Sequence, residues 1–322
     1  MQSSALRNRS VIKSMQIGQE IYEWLEHKEY AKAEKALLLE LKHDGTNVAA
    51  LGCLASVYIE RGEQEEAARY ADRLLELQPN DAYTLFLQER ICFMAGEHVS
   101  LISRLQYILA NGQQLSEDCQ EKIYNLLGQC WRYVGNSQKS TEAYKLAVQH
   151  AESMELRLEE YSNFLFNLHY IDEISEDKKF EAHCDYQCLL PDIPMFFHRK
   201  RSSEGKIRLG YISPDLREHV VMQFAYALFS NYDHENFEVH CYANGPEDRW
   251  SQQAAACVDG WRNIADMSAE QAARLIYDDK IDVLFDLSGH TRHNCLPILA
   301  YKPAPVQISG IGYFATTGLA QV

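Results

Sequence analysis

Three short strings carry the side chains best suited to chemistry at neutral pH. The first is Leu209-Gly-Tyr-Ile-Ser-Pro-Asp-Leu-Arg-Glu-His219, where a β-rich run breaks at Pro214-Asp215 and an apolar helical pattern opens after His219. An imidazole at a helix N-terminus, beyond the end of a strand, can hydrogen-bond a phosphate or an acceptor hydroxyl and titrates near neutrality. The plainer alternative for His219 is a residue that caps or packs its own helix. The second string, Asp286-Leu-Ser-Gly-His-Thr291, closes the cleanest strand pattern with a carboxylate, an imidazole and two hydroxyls. Gly289 supplies a turn there that a β-carbon would obstruct, and Asp286 has the alternative role of a buried carboxylate holding loop amides. The third string, Gly312-Tyr-Phe-Ala-Thr-Thr-Gly318, sets Tyr313, Thr316 and Thr317 between two glycines in a strand-to-helix turn.

Other chemistries find little support. The turn after the first strand holds only Gly210 and no G-x-G-x-x-G, which disfavours a dinucleotide-dependent dehydrogenase. The nine cysteines include no C-x-x-C pair, and Cys53, Cys92, Cys130 and Cys241 fall inside helical or strand patterns. They read as reduced, buried thiols of a cytoplasmic protein. Cys184 and Cys188, four apart beside His183, read as ordinary helix packing rather than a metal site. No D-x-D or His/Cys cluster ends a strand, so no metal and no resident cofactor is implied.

The elements that must position these strings alternate between strand and helix. Strand patterns cover Lys206–Ser213, Glu238–Ala243, a weaker Gly260–Ala265, Ile281–Leu287 and Pro305–Ile311. Helical patterns run from Val220 to Tyr232 and around Leu296–Tyr301, and Ser268-Ala-Glu-Gln271 is a capping box opening a helix to about Asp279. This alternation predicts a parallel, Rossmann-like α/β sheet over 206–322, covered on both faces. Ligands of such sheets bind beyond the carboxyl ends of the strands, where all three strings fall.

Ahead of this lobe the chain is helical. A tail of 1–14 carries Arg7, Arg9 and Lys13 without the apolar region of a secretory signal. From 15 to 152 the pattern is helix–turn–helix with a period: 34 residues separate Ala33 from Ala67, and Gly62 from Gly96. The clearest unit reads Leu54-Ala-x-x-Tyr58, Gly62, Ala67, Pro79, and a later one carries Leu127-Gly-x-x-Trp131, Gly135, Tyr144 and Ala147. A five-residue insertion is expected near Asn111–Asp118. These units resemble tetratricopeptide repeats, in which small residues let paired helices approach and large ones such as Tyr58, Trp131 and Tyr144 fill gaps between repeats. Such a solenoid suits a protein or peptide partner, or serves as a spacer or a homo-oligomer surface. A helical connector spans 153–205, ended by Pro191-Asp-Ile-Pro194 and a polar basic linker, His198-Arg-Lys-Arg201 with Ser202 and Ser203, which reads as solvated.

The three strings combine with Lys302-Pro-Ala-Pro-Val-Gln307, the repeats ahead of them, and a connector that includes Tyr161–Tyr170 and Ala182-His183. Together they resemble the O-GlcNAc transferase family, including its bacterial and plant Spindly-type members. The resemblance implies the first half of a GT-B glycosyltransferase, two Rossmann-like lobes facing across a cleft, that moves a sugar from a nucleotide diphosphate to protein Ser or Thr. By it His219 is the catalytic-site histidine, in contact with donor phosphate or acceptor hydroxyl. Asp286, Gly289, His290 and Thr291 line the cleft, and Gly312, Tyr313, Thr316, Thr317 and Gly318 form the loop that contacts sugar and acceptor. The implied co-substrate is UDP-GlcNAc. Two departures stand out: Phe314 and Ala315 replace the family's Pro and Gly, where a left-handed turn would be strained by Ala315, and Asn263 stands where animal members carry a histidine. The family's second lobe would follow Val322, so the expectation is a truncated chain, inactive alone. The contrasting expectation is a non-catalytic interaction scaffold with a degenerate transferase lobe.

Composition sets the outer bounds. The 322 residues leave room for about two domains, and 46% hydrophobic content suffices for sizeable cores. A net charge of −15 argues against nucleic acid or an anionic membrane as the main partner, and no run approaches the ~18 apolar residues of a membrane span.

Overall fold

The structure, a computed structural model, describes residues 17–27, 29–78, 81–111, 115–190, 193–199 and 205–322. The N-terminal tail, Pro79, Pro191, Asp192 and Lys200–Ser203 of the linker lie outside the described residues. The chain divides into two compact units, Gln2–Glu160 and Tyr161–Val322.

The first unit is built of helices α1 (Gln19–Glu26), α2 (Tyr30–His43), α3 (Val48–Arg61), α4 (Gln64–Leu77), α5 (Ala82–Met94), α6 (His98–Asn111), α7 (Glu117–Tyr133) and α8 (Ser137–His150), packed in consecutive pairs. Three of the helix pairs are joined by the same turn. Gly62, Gly96 and Gly135 sit at φ 75°, 81° and 81°, a conformation that costs other residues about 1–2 kcal/mol. The next amide closes each turn five residues back: Glu63 N–H to Tyr58 O, Glu97 N–H to Cys92 O, and Asn136 N–H to Trp131 O. Five residues after each glycine stand Ala67, Leu101 and Ser140, all fully buried against the paired helix. Ser140 keeps its hydroxyl satisfied by donating to Gly128 O at 2.7 Å. Tyr58 spans two units as its size suggests, donating to Glu34 at 2.6 Å. Tyr144 instead fills a gap inside its own unit, against Gly128. Most of the insertion goes into α7, which has 17 residues against 13 for α5; residues 112–114 lie outside the described set.

Helix α9 (Met154–Leu168) crosses the division at Glu160/Tyr161, and α10 (Glu176–Leu189) belongs wholly to the second unit. That unit continues as β1 (Ile207–Ser213), α11 (Val220–Ser230), β2 (Phe237–Ala243), α12 (Arg249–Ala255), β3 (Gly260–Asn263), α13 (Ala269–Asp278), β4 (Val283–Asp286), α14 (Leu296–Leu299) and β5 (Val306–Ser309). All strands pair parallel in the order β3-β2-β1-β4-β5. Helix α11 packs Val221, Met222, Ala225 and Phe229 onto Tyr211, Val239 and Cys241. Gly210 is needed in mid-strand because a β-carbon there would lie 2.9 Å from Leu284 and 3.0 Å from Ile281. The Ser268–Gln271 capping box forms with both hydrogen bonds, at 3.2 and 2.9 Å. Helix α12, in a stretch the sequence reading leaves without an element, opens with a second capping box between Asp248 and Ser251.

The described part of the linker is an ordered strap. Phe196 donates its amide to Tyr301 O at 2.9 Å and stacks on Tyr277, and the His198 ring donates to Lys302 O at 2.7 Å. Among the described residues no helix is long and apolar enough to cross a membrane.

Candidate functional site

The chain leaves β1 toward β2 on one side and β4 toward β5 on the other, so the carboxyl ends of β1 and β4 frame the crevice where such sheets take ligands. The segments after β1, β4 and β5 meet there. Leu287 N–H reaches Ile212 O at 3.1 Å, and Gly310 N–H reaches Asp286 O at 3.0 Å. Gly312 passes so close that a β-carbon would lie 1.9 Å from Leu287 O and 3.1 Å from Val221, two residues past His219. Gly289, at φ 50°, backs onto Tyr313, whose Cβ would be 2.3 Å from an added β-carbon. Glycine thus brings the three strings together by letting main chains touch.

His219 is the N-cap of α11. Its Nδ1 accepts from Val221 N–H at 3.3 Å and lies 3.7 Å from Asp215 Oδ2, with the side chain 41% exposed. In this tautomer the proton is on Nε2. Capping and ligand contact are compatible, because they use different ring nitrogens. Burial pushes the Asp215 carboxyl up, against the pull of His219 and Arg217.

Asp286 is fully buried and acts on its own loop. It accepts from Ser288 N–H at 3.1 Å, Ser288 O–H at 2.7 Å, Gly289 N–H at 2.8 Å and Ser309 O–H at 2.7 Å. Burial raises its pKa while these four donors lower it. Thr291 donates its hydroxyl back to Ser288 O at 2.8 Å.

His290 is buried too, and its bonding fixes its tautomer. Nε2 is 2.9 Å from Thr317 O, a carbonyl that can only accept, so Nε2 carries the proton. Nδ1 then accepts from Ser162 O–H at 3.1 Å. Burial, with lesser pressure from His183 and His169, pushes the His290 pKa down to about 3.

In the glycine-bounded loop Tyr313 and Thr317 are buried, while Phe314 and Thr316 face outward. Neither Phe314 nor Ala315 takes a left-handed conformation; that geometry falls at Ile311, φ 70°, between Gly310 and Gly312. Gly312 N–H bonds Gly310 O at 2.9 Å, a strained three-residue turn for a β-branched residue. The expected strain at Ala315 is therefore absent. Gly318, at φ 71°, passes over α10, where a β-carbon would lie 1.8 Å from His183 O. Asn263 ends β3, accepting from Ala265 N–H at 3.0 Å.

Four residues of this arrangement escape the motif reading as site components: Ser162, His183, Asn294 and Ser309. Asn294 donates to Ser162 Oγ at 3.2 Å, completing the bond to His290. Partners lying 128 to 132 positions apart in sequence leave no local signal.

Comparison with known proteins finds similarity over this region. The family model described as "Glycosyl transferase family 41" matches residues 172–322. Those residues, a little under half of the chain, are similar to glycosyl transferase family 41. The "Probable UDP-N-acetylglucosamine--peptide N-acetylglucosaminyltransferase SPINDLY" of Petunia hybrida is 32% identical over 168 residues, 50% of this chain. Its Arabidopsis thaliana counterpart is 34% identical over the same length, and the Arabidopsis protein named SEC is 30% identical over 153 residues. The matches span 18% of the SPINDLY proteins and 16% of SEC. A mutant of the Thermobaculum terrenum O-GlcNAc transferase shares the fold over 98% of this chain and 53% of its own, with a TM-score of 0.64 at 21% identity. The segment similar to family 41 thus forms the first half of a GT-B-like fold, preceded by tetratricopeptide-type repeats, as the motifs imply.

Proposed function

We propose that this chain carries the first lobe of a protein O-glycosyltransferase that moves a sugar, N-acetylglucosamine from UDP-N-acetylglucosamine in the first instance, to Ser or Thr of a protein acceptor. The carrying observation is the convergence of His219, the 286–291 turn and the 312–318 loop at the crevice between β1 and β4. The match of residues 172–322 to glycosyl transferase family 41 makes glycosyl transfer the chemistry to expect there. The names of the plant relatives supply the donor and the peptide acceptor.

In the described tautomer His219 offers Nε2–H outward beside the N-terminus of α11, a pair of donors suited to an anionic donor oxygen. Moving the proton to Nδ1, toward Asp215, gives up the cap bond from Val221 N–H and frees the Nε2 lone pair to receive an acceptor-hydroxyl proton. Asp286 acts at one remove, holding the 286–291 turn. Phe314 and Thr316, both exposed, are the loop residues available to an incoming sugar or acceptor.

The test is calorimetric titration of UDP, UDP-N-acetylglucosamine and GDP-fucose into the 322-residue chain and into a chimaera carrying the second lobe of a plant relative. The expected result is selective binding of the uridine nucleotides, weakened at least tenfold by His219→Ala. Absence of nucleotide binding in both proteins overturns the proposal. It would leave the reading of an interaction scaffold, which the burial of His290, Tyr313 and Thr317 favours.

A further inference from the structure

We infer that His183 of α10 is a positioning residue that sets the 312–318 loop, accepting a hydrogen bond from Tyr313 and carrying Gly318 on its own main chain. This rests on the function proposed above, which makes that loop the surface for sugar and acceptor.

The direction of each bond follows from the atoms. His183 is 1% exposed, and its Nδ1 lies 2.6 Å from Lys179 O. A carbonyl only accepts, so Nδ1 holds the proton of a neutral ring. Nε2 is left with a lone pair, and the Tyr313 hydroxyl lies 2.8 Å from it. Tyr313 O–H therefore donates to His183. Both ring nitrogens are used, as burial demands. Burial keeps the ring neutral, against the pull of the Lys179 carbonyl. Lys179 stands on α10 itself, His169 on α9 places Nε2 at 3.5 Å, and the His290 ring centroid from the 286–291 turn is 5.3 Å away. Glu176, the nearby acid of α10, is bonded to Lys179.

The same residue meets the far end of the loop. A β-carbon on Gly318 would lie 1.8 Å from His183 O and 2.9 Å from Cys184 N, so the loop's main chain rests on this turn of α10. One turn further, Gln187 accepts from Ala320 N–H at 3.3 Å. The loop is thus pinned at Tyr313 and again at Gly318. Between the pins Phe314 is 66% exposed and Thr316 is exposed. A loop fixed at both ends with its middle turned outward is preorganised for a ligand, and the fixing residue lies on a connector helix outside the sheet.

Hydrogen exchange of the 322-residue chain, read by mass spectrometry over 311–319, tests this. His183→Ala is expected to speed exchange there at least tenfold while β1 and α7 exchange as in wild type. Tyr313→Phe removes the same bond from the other side and is expected to act alike, with the double variant no faster than His183→Ala. His183→Gln places an amide oxygen near the position of Nε2 and is expected to restore most of the protection, which loss of packing alone would not. Nitrogen-15 spectra are expected to show His183 as the Nδ1–H tautomer, with its Nε2 resonance shifted in Tyr313→Phe. Wild-type exchange in both single variants, or Gln behaving as Ala, overturns the inference. If His183→Ala does not fold, Tyr313→Phe decides, since it removes one oxygen. The two readings fail separately. Unchanged loop exchange sinks the positioning role whatever the chain binds, and absent nucleotide binding sinks the proposed function whatever the loop does.

Discussion

Asp286 is a buried carboxylate with four donors around it, two of them main-chain amides of the turn it organises. Removing the carboxylate strands those amides away from water, and each lost bond to a charged acceptor is worth about 1.5–3 kcal/mol. Asp286→Ala is therefore expected to destabilise the chain by about 3 kcal/mol or more in urea unfolding, and Asp286→Asn by less, since one amide oxygen still accepts. A loss below ~1 kcal/mol for Ala would mean that the turn is held by other means. The sequence left two roles open for Asp286, and a carboxylate two residues ahead of Ser-Gly is legible as a loop anchor. His290 was not legible in this way. What determines its chemistry is Ser162 and Thr317, which burial and a carbonyl bring to opposite nitrogens of one ring. His219 was legible because its cap is local: the amide it accepts lies two residues on.

Helix pairs in the repeat unit depend on contacts at which a single carbon matters. An alanine β-carbon at Gly128 would lie 2.8–2.9 Å from three ring atoms of Tyr144, a buried side chain with little freedom to retreat. Overpacking of this kind costs about 1–3 kcal/mol. Gly128→Ala is expected to lower stability by that amount, and adding Tyr144→Leu to recover part of it. Equal losses in the single and double variants would show that the ring yields freely. The elements themselves were largely readable, for identifiable reasons. The glycine turns recur because one left-handed geometry closes three of the helix pairs, and capping boxes such as Ser268–Gln271 are encoded within four residues. The pattern Ile281–Leu287 runs longer than β4, Val283–Asp286, because apolar residues continue past the last ladder bond. Helix α12 has only seven residues, too few to show a period. The division at Glu160/Tyr161 falls inside a continuous helix, where no composition change marks it.

The two units bury titratable groups of opposite kinds, and acid should act on them with opposite signs. In Tyr161–Val322, burial lowers the pKa of His169, His183 and His290, the last to about 3. The unfolded chain then binds more protons below about pH 6.5, so the stability these rings contribute is complete above that pH and is lost as pH falls toward 3. For His290 alone the loss on going from pH 7.5 to 5 is about 2 kcal/mol. Asp215 and Asp286, raised by burial, oppose this but from a lower starting range. In Gln2–Glu160 the buried acids lead. Burial pushes Glu89 up to about 7 against the pull of Arg104, and raises Glu121, with Lys122 opposing and Asp118 and Glu159 reinforcing. Here the folded state binds more protons, so stability is greatest near pH 4.5 and declines as pH rises toward 7. Hydrogen exchange, corrected for the intrinsic pH dependence of amide exchange, should show this directly. From pH 7.5 to 5, protection over 286–291 and 316–319 is expected to fall while protection along α5 and α7 rises. His290→Asn should flatten the first slope by about 2 kcal/mol, and Glu89→Gln should flatten the second. Parallel slopes in the two units would mean that these groups do not govern the acid response. A fall along α7 in particular would place the titrating groups elsewhere in the repeats.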